Sequence, residues 1–171
     1  FNFLILCHRS RLMIDNQTLH SLAEKRPLFH SEDDFKFSLA QHLASKSDKI
    51  RIEVPQELSV GLKDKKGNKV VRYTYDLVIH VNDKVIPIEL KYKTKALDNL
   101  NFKVPNETFL LKNQSGHPNT LRNVRKDVFR IEQFLERNKK SSIGFVIFLT
   151  NDRKYWEGNK SKYKPLAYNY Q

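Results

Sequence analysis

Arg72-Tyr73-Thr74-Tyr75-Asp76-Leu77-Val78-Ile79-His80-Val81, then Asn82-Asp83, then Lys84-Val85-Ile86-Pro87-Ile88-Glu89-Leu90-Lys91-Tyr92-Lys93 is the stretch from which the fold is read. Both flanks are rich in β-branched and aromatic residues, and Asn-Asp between them is turn chemistry. They read as strands 70–81 and 84–93 joined by a tight hairpin. Side chains alternate along a strand, so Glu89 and Lys91 project from one face and Ile88, Leu90 and Tyr92 from the other. Asp76 stands where the run would otherwise carry an apolar or aromatic side chain, and an acid inside a strand is unfavourable unless it is paired or bound to a metal. A register that places Asp76 beside Glu89 makes two carboxylates into a hard-oxygen site for Mg²⁺, with Lys91 facing a bound phosphate or water. By pattern alone, a solvated sheet face with an ordinary Glu–Lys pair is the alternative. Pro87 lacks a ladder donor and reads as a bulge or the start of the strand, which leaves the register of Glu89 open.

Outward from this hairpin, Ile50–Val54 reads as a preceding strand, turned into the next by Lys65-Lys66-Gly67-Asn68, so three strands form an antiparallel meander. Upstream, residues 14–26 read as a short helix ended by Pro27. A second helix begins at Ser31, which supplies an N-cap before the acidic turn Glu32-Asp33-Asp34. Phe35, Leu39, Ala40 and Leu43 carry it to about Ser45. Of the three acids, Glu32 points within roughly 20° of the Leu39 and Leu43 stripe, and Asp33 and Asp34 are expected to face outward. The alternative for Glu32 is an acid that complements the helix dipole. Downstream, residues 95–120 lose periodicity and read as a loop. Leu121, Val124, Val128, Ile131 and Leu135 then give an amphipathic helix from about Thr120 to Asn138. Ser142–Thr150 is a continuous apolar run of strand length, as expected for a strand buried on both faces. The order is helix, three strands, helix, strand: a mixed α/β (α+β) fold in a single domain, 1–171. Residues 1–12, ahead of Met13, are expected to lie outside the core as disordered or non-native chain.

Composition agrees with a folded chain that meets a polyanion. Of 171 residues, 31 are Lys or Arg against 19 Asp or Glu, a formal charge of +12. Eleven Phe and seven Tyr are too many large apolar groups for a disordered chain. A single cysteine, Cys7, excludes an internal disulfide and a zinc cluster, and it points to a reducing cytoplasm. No apolar run approaches the roughly 20 residues of a membrane helix. No Gly-rich phosphate loop is present, which argues against an intrinsic nucleotide site. The six histidines show no pair at metal-ligand spacing.

Leu28-Phe29-His30-Ser31-Glu32-Asp33-Asp34-Phe35, Asp76, Ile88-Glu89-Leu90-Lys91-Tyr92-Lys93-Thr94, Val128-Phe129-Arg130-Ile131-Glu132 and Ile147-Phe148-Leu149-Thr150-Asn151-Asp152 together resemble the PD-(D/E)XK nuclease superfamily, with its restriction-endonuclease-like fold. The likeness spans about residues 28–156 and is closest to small uncharacterised prokaryotic members. It implies an αβββαβ core whose last strand is parallel to its neighbour, and Mg²⁺-dependent phosphodiester hydrolysis, with Mn²⁺ able to substitute. By the same resemblance Asp76 and Glu89 are the metal ligands, Lys91 is the signature lysine, and Glu32 is the acid many members carry on the first core helix. Tyr75 stands where the family name places proline.

The expected activity is therefore that of a metal-dependent endodeoxyribonuclease acting on double-stranded DNA, with a homodimer compatible with that role. The alternative is a non-catalytic nucleic-acid-binding or assembly module that keeps the fold. Lys65, Lys66, Lys69 and Arg72 on the first hairpin, and Lys93 and Lys95 beyond the site, are the candidate phosphate contacts. Arg122 and Arg125 on the second core helix join them, with a border around the apolar stripe as the alternative. Asp127, Arg130 and Glu132 read as helix-surface ion pairs. Trp156 reads as a core edge.

Overall fold

The computed structural model describes residues 2–7, 14–58, 71–97, 107–114, 116–138, 141 and 143–155. The chain runs β1 (Asn2–Cys7), α1 (Asn16–Lys25), α2 (Glu32–Leu43), β2 (Lys49–Leu58), β3 (Val71–Val81), β4 (Lys84–Lys93), α3 (His117–Arg137) and β5 (Phe145–Thr150). The strands form one mixed sheet in the order β1-β5-β4-β3-β2. β2, β3 and β4 are an antiparallel meander. β5 lies parallel to β4, and α3 supplies the long crossover that parallel neighbours require. No helix among the described residues is long and apolar enough to cross a membrane.

Local chemistry sets the helix ends. Asp15 caps α1 by accepting from the Thr18 N–H at 2.7 Å, and Ser31 caps α2 by accepting from Asp34 N–H at 3.1 Å. α3 begins three residues before the expected Thr120, at His117, because Pro118 is well suited to a first helical turn and Gly116 before it adopts a left-handed φ of 109°. The loop expected over 95–120 carries a bridge between Leu97 and Leu111. There Phe109 and Leu111 bury against Leu28 in a small core of their own.

Alternation along β4 divides the main core between the two sheet faces. Ile86, Ile88, Leu90 and Tyr92 pack with Leu19 and Leu22 of α1 and Phe35, Leu39 and Leu43 of α2. On the other face Val146 and Phe148 pack with Val124, Ile131 and Phe134 of α3. Glu89 and Lys91 consequently project toward α3, as the period of two requires.

Pro87 produces no bulge. It pairs in register with Val78, and its missing donor lies on the edge toward β5, where the parallel ladder begins only beyond it, at Ile88. A Cβ added at Gly144 would lie 2.6 Å from Ile131 Cγ2 and 3.1 Å from Pro87 Cγ, so α3 approaches the sheet closely where β5 starts.

The expectation that residues 1–12 lie outside the core is corrected for residues 2–7. β1 pairs antiparallel with β5 from Asn2↔Thr150 to Cys7↔Phe145. Every residue of β5 is buried, and a buried strand must satisfy its backbone groups on both edges, with β4 on one side and β1 on the other.

Candidate active site

The site is built where β3 and β4 part. Their ladder runs from Val81↔Lys84 to Leu77↔Ile88 and stops. Beyond that point β3 continues against β2, and β4 continues against β5. Asp76 and Glu89 are the next pair in register, so they face each other across the opening of a fork. The Asp76 carboxylate takes over a donor that the interrupted ladder leaves free, with Oδ2 accepting from Leu90 N–H at 2.7 Å.

Glu89 is 2% exposed, and its Oε1 has no hydrogen-bond partner. Arg130 Nη1 is 3.7 Å away. Burial, reinforced by the Asp127 and Asp76 carboxylates and only partly opposed by Arg130, pushes the Glu89 carboxyl up to about 9. Lys91 Nζ donates to the carbonyl of Leu90 at 2.9 Å and lies 3.3 Å from Asp127 Oδ2 and 3.9 Å from Glu32 Oε1. Burial favours the neutral amine, but Asp127, Glu32, Asp76 and Glu89 outweigh it and raise the Lys91 pKa, so the ammonium keeps its charge.

Glu32 reaches the site from the N-terminus of α2, on the opposite side of the sheet from α3. Its Oε2 accepts from Tyr92 N–H at 2.8 Å, a backbone donor on the edge of β4 that β3 has left. Asp33 faces outward, as its helical phase requires, with its side chain 90% exposed. Asp34 departs from the expectation. It accepts from His30 N–H at 2.8 Å and pairs with Arg26 at 3.0 Å, tying the segment before α2 to its first turn.

Asp127 corrects the reading of a helix-surface pair. It is 2% exposed, pairs with Arg130 Nη1 at 3.0 Å and holds Lys91. Burial raises its carboxyl pKa, while Lys91 and Arg130 act to lower it. The signal lay in the helical phase: Thr120, Val124, Asp127, Ile131 and Phe134 form the buried stripe of α3, so Asp127 sits three residues after one core position and four before another. Arg130 also lies 4.5 Å from the centroid of the Tyr73 ring, which holds its guanidinium beside the carboxylates.

Lys36 of α2 is a second residue that the sequence did not single out. It is buried, and Nζ pairs with Asp76 Oδ1 at 3.1 Å, with Asp33 Oδ1 at 3.2 Å and with Glu53 Oε1. In helical phase it lies three residues before Leu39, but a lysine there ordinarily reaches solvent.

Arg122 and Arg125 are exposed on the side of α3 away from its buried stripe, and it is Arg130 that reaches the carboxylates. Arg72 and Lys95 are exposed and Lys93 half-buried. Lys65, Lys66, Lys69 and Trp156 lie outside the described residues.

The donor set suits a hard divalent cation. Glu89 Oε1 and Asp127 Oδ2 are buried carboxylate oxygens without hydrogen-bond partners, with Arg130 within ion-pair distance of the first and Lys91 of the second. Each of these oxygens keeps a lone pair that no hydrogen bond fills, and an oxygen-seeking cation can take it up. Among the described residues no three His, Cys, Asp or Glu side chains gather closely enough to hold a metal alone, so Asp76 and Glu89 would share it with water, backbone oxygen or phosphate. No protein-family model matches the chain, and no curated protein or solved structure matches it.

Proposed function

We propose that this protein is a metal-dependent nuclease that hydrolyses phosphodiester bonds, with double-stranded DNA as its substrate and the cytoplasm as its compartment. The observation that carries the reading is the meeting of Asp76, Glu89 and Lys91 at one fork in the sheet, with a buried Glu89 oxygen left without a donor. The formal charge of +12 supports a polyanionic substrate.

Asp76 and Glu89 would hold Mg²⁺, or Mn²⁺ in its place. When bound, the ion supplies positive charge against the charge developing on the phosphate and acidifies water. Glu89 must give up its proton to become a ligand, so cation binding is coupled to proton release and strengthens with rising pH up to about 9. Lys91, kept protonated by Asp127 and Glu32, acts as a charge and a donor toward phosphate or water rather than as a base. Glu32 and Asp127 are positioning residues that aim its ammonium from opposite faces of the sheet.

The test is incubation of plasmid, linear duplex, single-stranded DNA and RNA with Mg²⁺, Mn²⁺ or EDTA. Cleavage is expected only with a divalent ion, and Asp76→Ala, Glu89→Ala and Lys91→Ala each abolish it. Full activity in EDTA, or in Glu89→Ala, overturns the reading, and binding without cleavage favours the non-catalytic module.

A further inference from the structure

Glu53 has a backbone conformation that its place in a strand does not explain. Its φ is +52° in the middle of β2, a left-handed conformation unfavourable for any residue but glycine unless the surroundings hold it. Ile52 pairs with Leu77 and Val54 with Tyr75, so Glu53 comes opposite Asp76 at the one step where the ladder skips a pair. The alternation of faces breaks there in both strands. Ile50 packs with the α1 and α2 face and Val54 with the α3 face, and Leu77 and Tyr75 divide in the same way. What the irregular step achieves is local: the Glu53 carboxylate meets Lys36, whose ammonium also pairs with Asp76 and Asp33.

A lysine that is only 6% exposed and pairs with three carboxylates carries a fixed positive charge inside the acidic site. Glu53 and Asp33 share the ammonium with Asp76, so it stands among carboxylates on more than one side. Its partner oxygen on Asp76 belongs to a carboxylate expected to hold the divalent ion.

We propose that Lys36 is a resident counter-cation of the carboxylate cluster, a positioning residue that keeps Asp76 in place before the ion arrives and then competes with the ion for it. Glu53 is the anchor that draws Lys36 aside. This inference rests on the reading of Asp76 as a cation ligand. The site thereby trades cation affinity for assembly in the absence of the ion: two positive centres on one carboxylate repel each other, and Glu53 weakens that repulsion by sharing the ammonium.

The experiment is calorimetric titration of the full chain with Mn²⁺ at constant pH, without nucleic acid. Lys36→Met is expected to bind Mn²⁺ at least about tenfold tighter than wild type, and Lys36→Arg, which keeps the charge, to stay close to wild type. Glu53→Gln is expected to bind more weakly, because Lys36 then falls back on Asp76. In the double variant the Glu53 change is expected to have almost no further effect, since its influence acts through Lys36. Equal or weaker binding by Lys36→Met, or an undiminished effect of Glu53→Gln in its presence, overturns the proposal. Asp76→Asn separates the two failures: wild-type affinity in that variant, or no Mn²⁺ binding by wild type and Lys36→Met alike, sinks the cation site itself and the proposal with it. Should Lys36→Met be unfolded without the ion, the same affinity is read as Mn²⁺-dependent refolding by circular dichroism.

Discussion

Glu89→Gln is expected to make the metal-free protein more stable at neutral and alkaline pH. In the unfolded chain Glu89 loses its proton near the ordinary 4.5, whereas in the fold burial, Asp127 and Asp76 keep it protonated up to about 9. Below 4.5 both states hold the proton, and its contribution to stability is fully present. Between the two values the folded state binds a proton that the unfolded state has released, so stability falls as pH rises, by up to about 1.4 kcal/mol per unit. From about pH 5.5 to about pH 8 the loss reaches roughly 3 kcal/mol for one fully buried carboxyl. Glutamine keeps the shape and does not titrate. Asp127, whose pKa is also raised, acts in the same direction in both proteins and largely drops out of the difference. The raised pKa of Lys91 acts only above its unfolded value of 10.5, outside this window. The assay is urea unfolding of both proteins in EDTA at the two pH values. Glu89→Gln should gain about 3 kcal/mol over wild type on going to the higher pH, or roughly 6 to 12 °C in Tm for a chain of this size. Mn²⁺ at the higher pH should stabilise wild type and leave the variant nearly unchanged. Parallel pH profiles would refute the reasoning, because they would mean that Glu89 ionises in the fold as readily as in the unfolded chain.

Three further outcomes are expected. Glu32→Gln should slow single-turnover cleavage strongly at saturating Mg²⁺ with little change in nucleic-acid affinity, because Glu32 holds Lys91 and Tyr92 N–H; a wild-type rate would return Glu32 to a role at the helix dipole. Neutralising Lys65, Lys66 and Lys69 together should flatten the dependence of log affinity on log salt without altering Mn²⁺ binding, and an unchanged slope would place the duplex elsewhere. Gly144→Ala should lower stability by about 1 to 3 kcal/mol, since its Cβ would meet Ile131 Cγ2 at 2.6 Å and force α3 from the sheet; an unchanged urea midpoint would show that the helix yields freely.

The amino-acid sequence by itself determined the elements whose periodicity is local. The alternation in Ile86-Pro87-Ile88-Glu89-Leu90-Lys91-Tyr92 sends Glu89 and Lys91 to one face whatever lies beyond, because the period of two is a property of the extended backbone. The phase of α2 separates Glu32 from Asp33 for the same kind of reason. Tertiary structure alone decided what depends on how elements meet. Asp127 and Arg130 become site residues only because the crossover of α3 lays that stripe over the face carrying Glu89 and Lys91, and on an isolated helix they read as an ordinary ion pair. Pro87 stays in register because the β5 ladder starts one residue beyond it, and β1 is required because a fully buried β5 cannot leave an edge unpaired. The pairing of Lys36 with Glu53 and Asp76 depends on a left-handed residue in mid-strand, a conformation that no local pattern in β2 announces and that only the surrounding packing can hold.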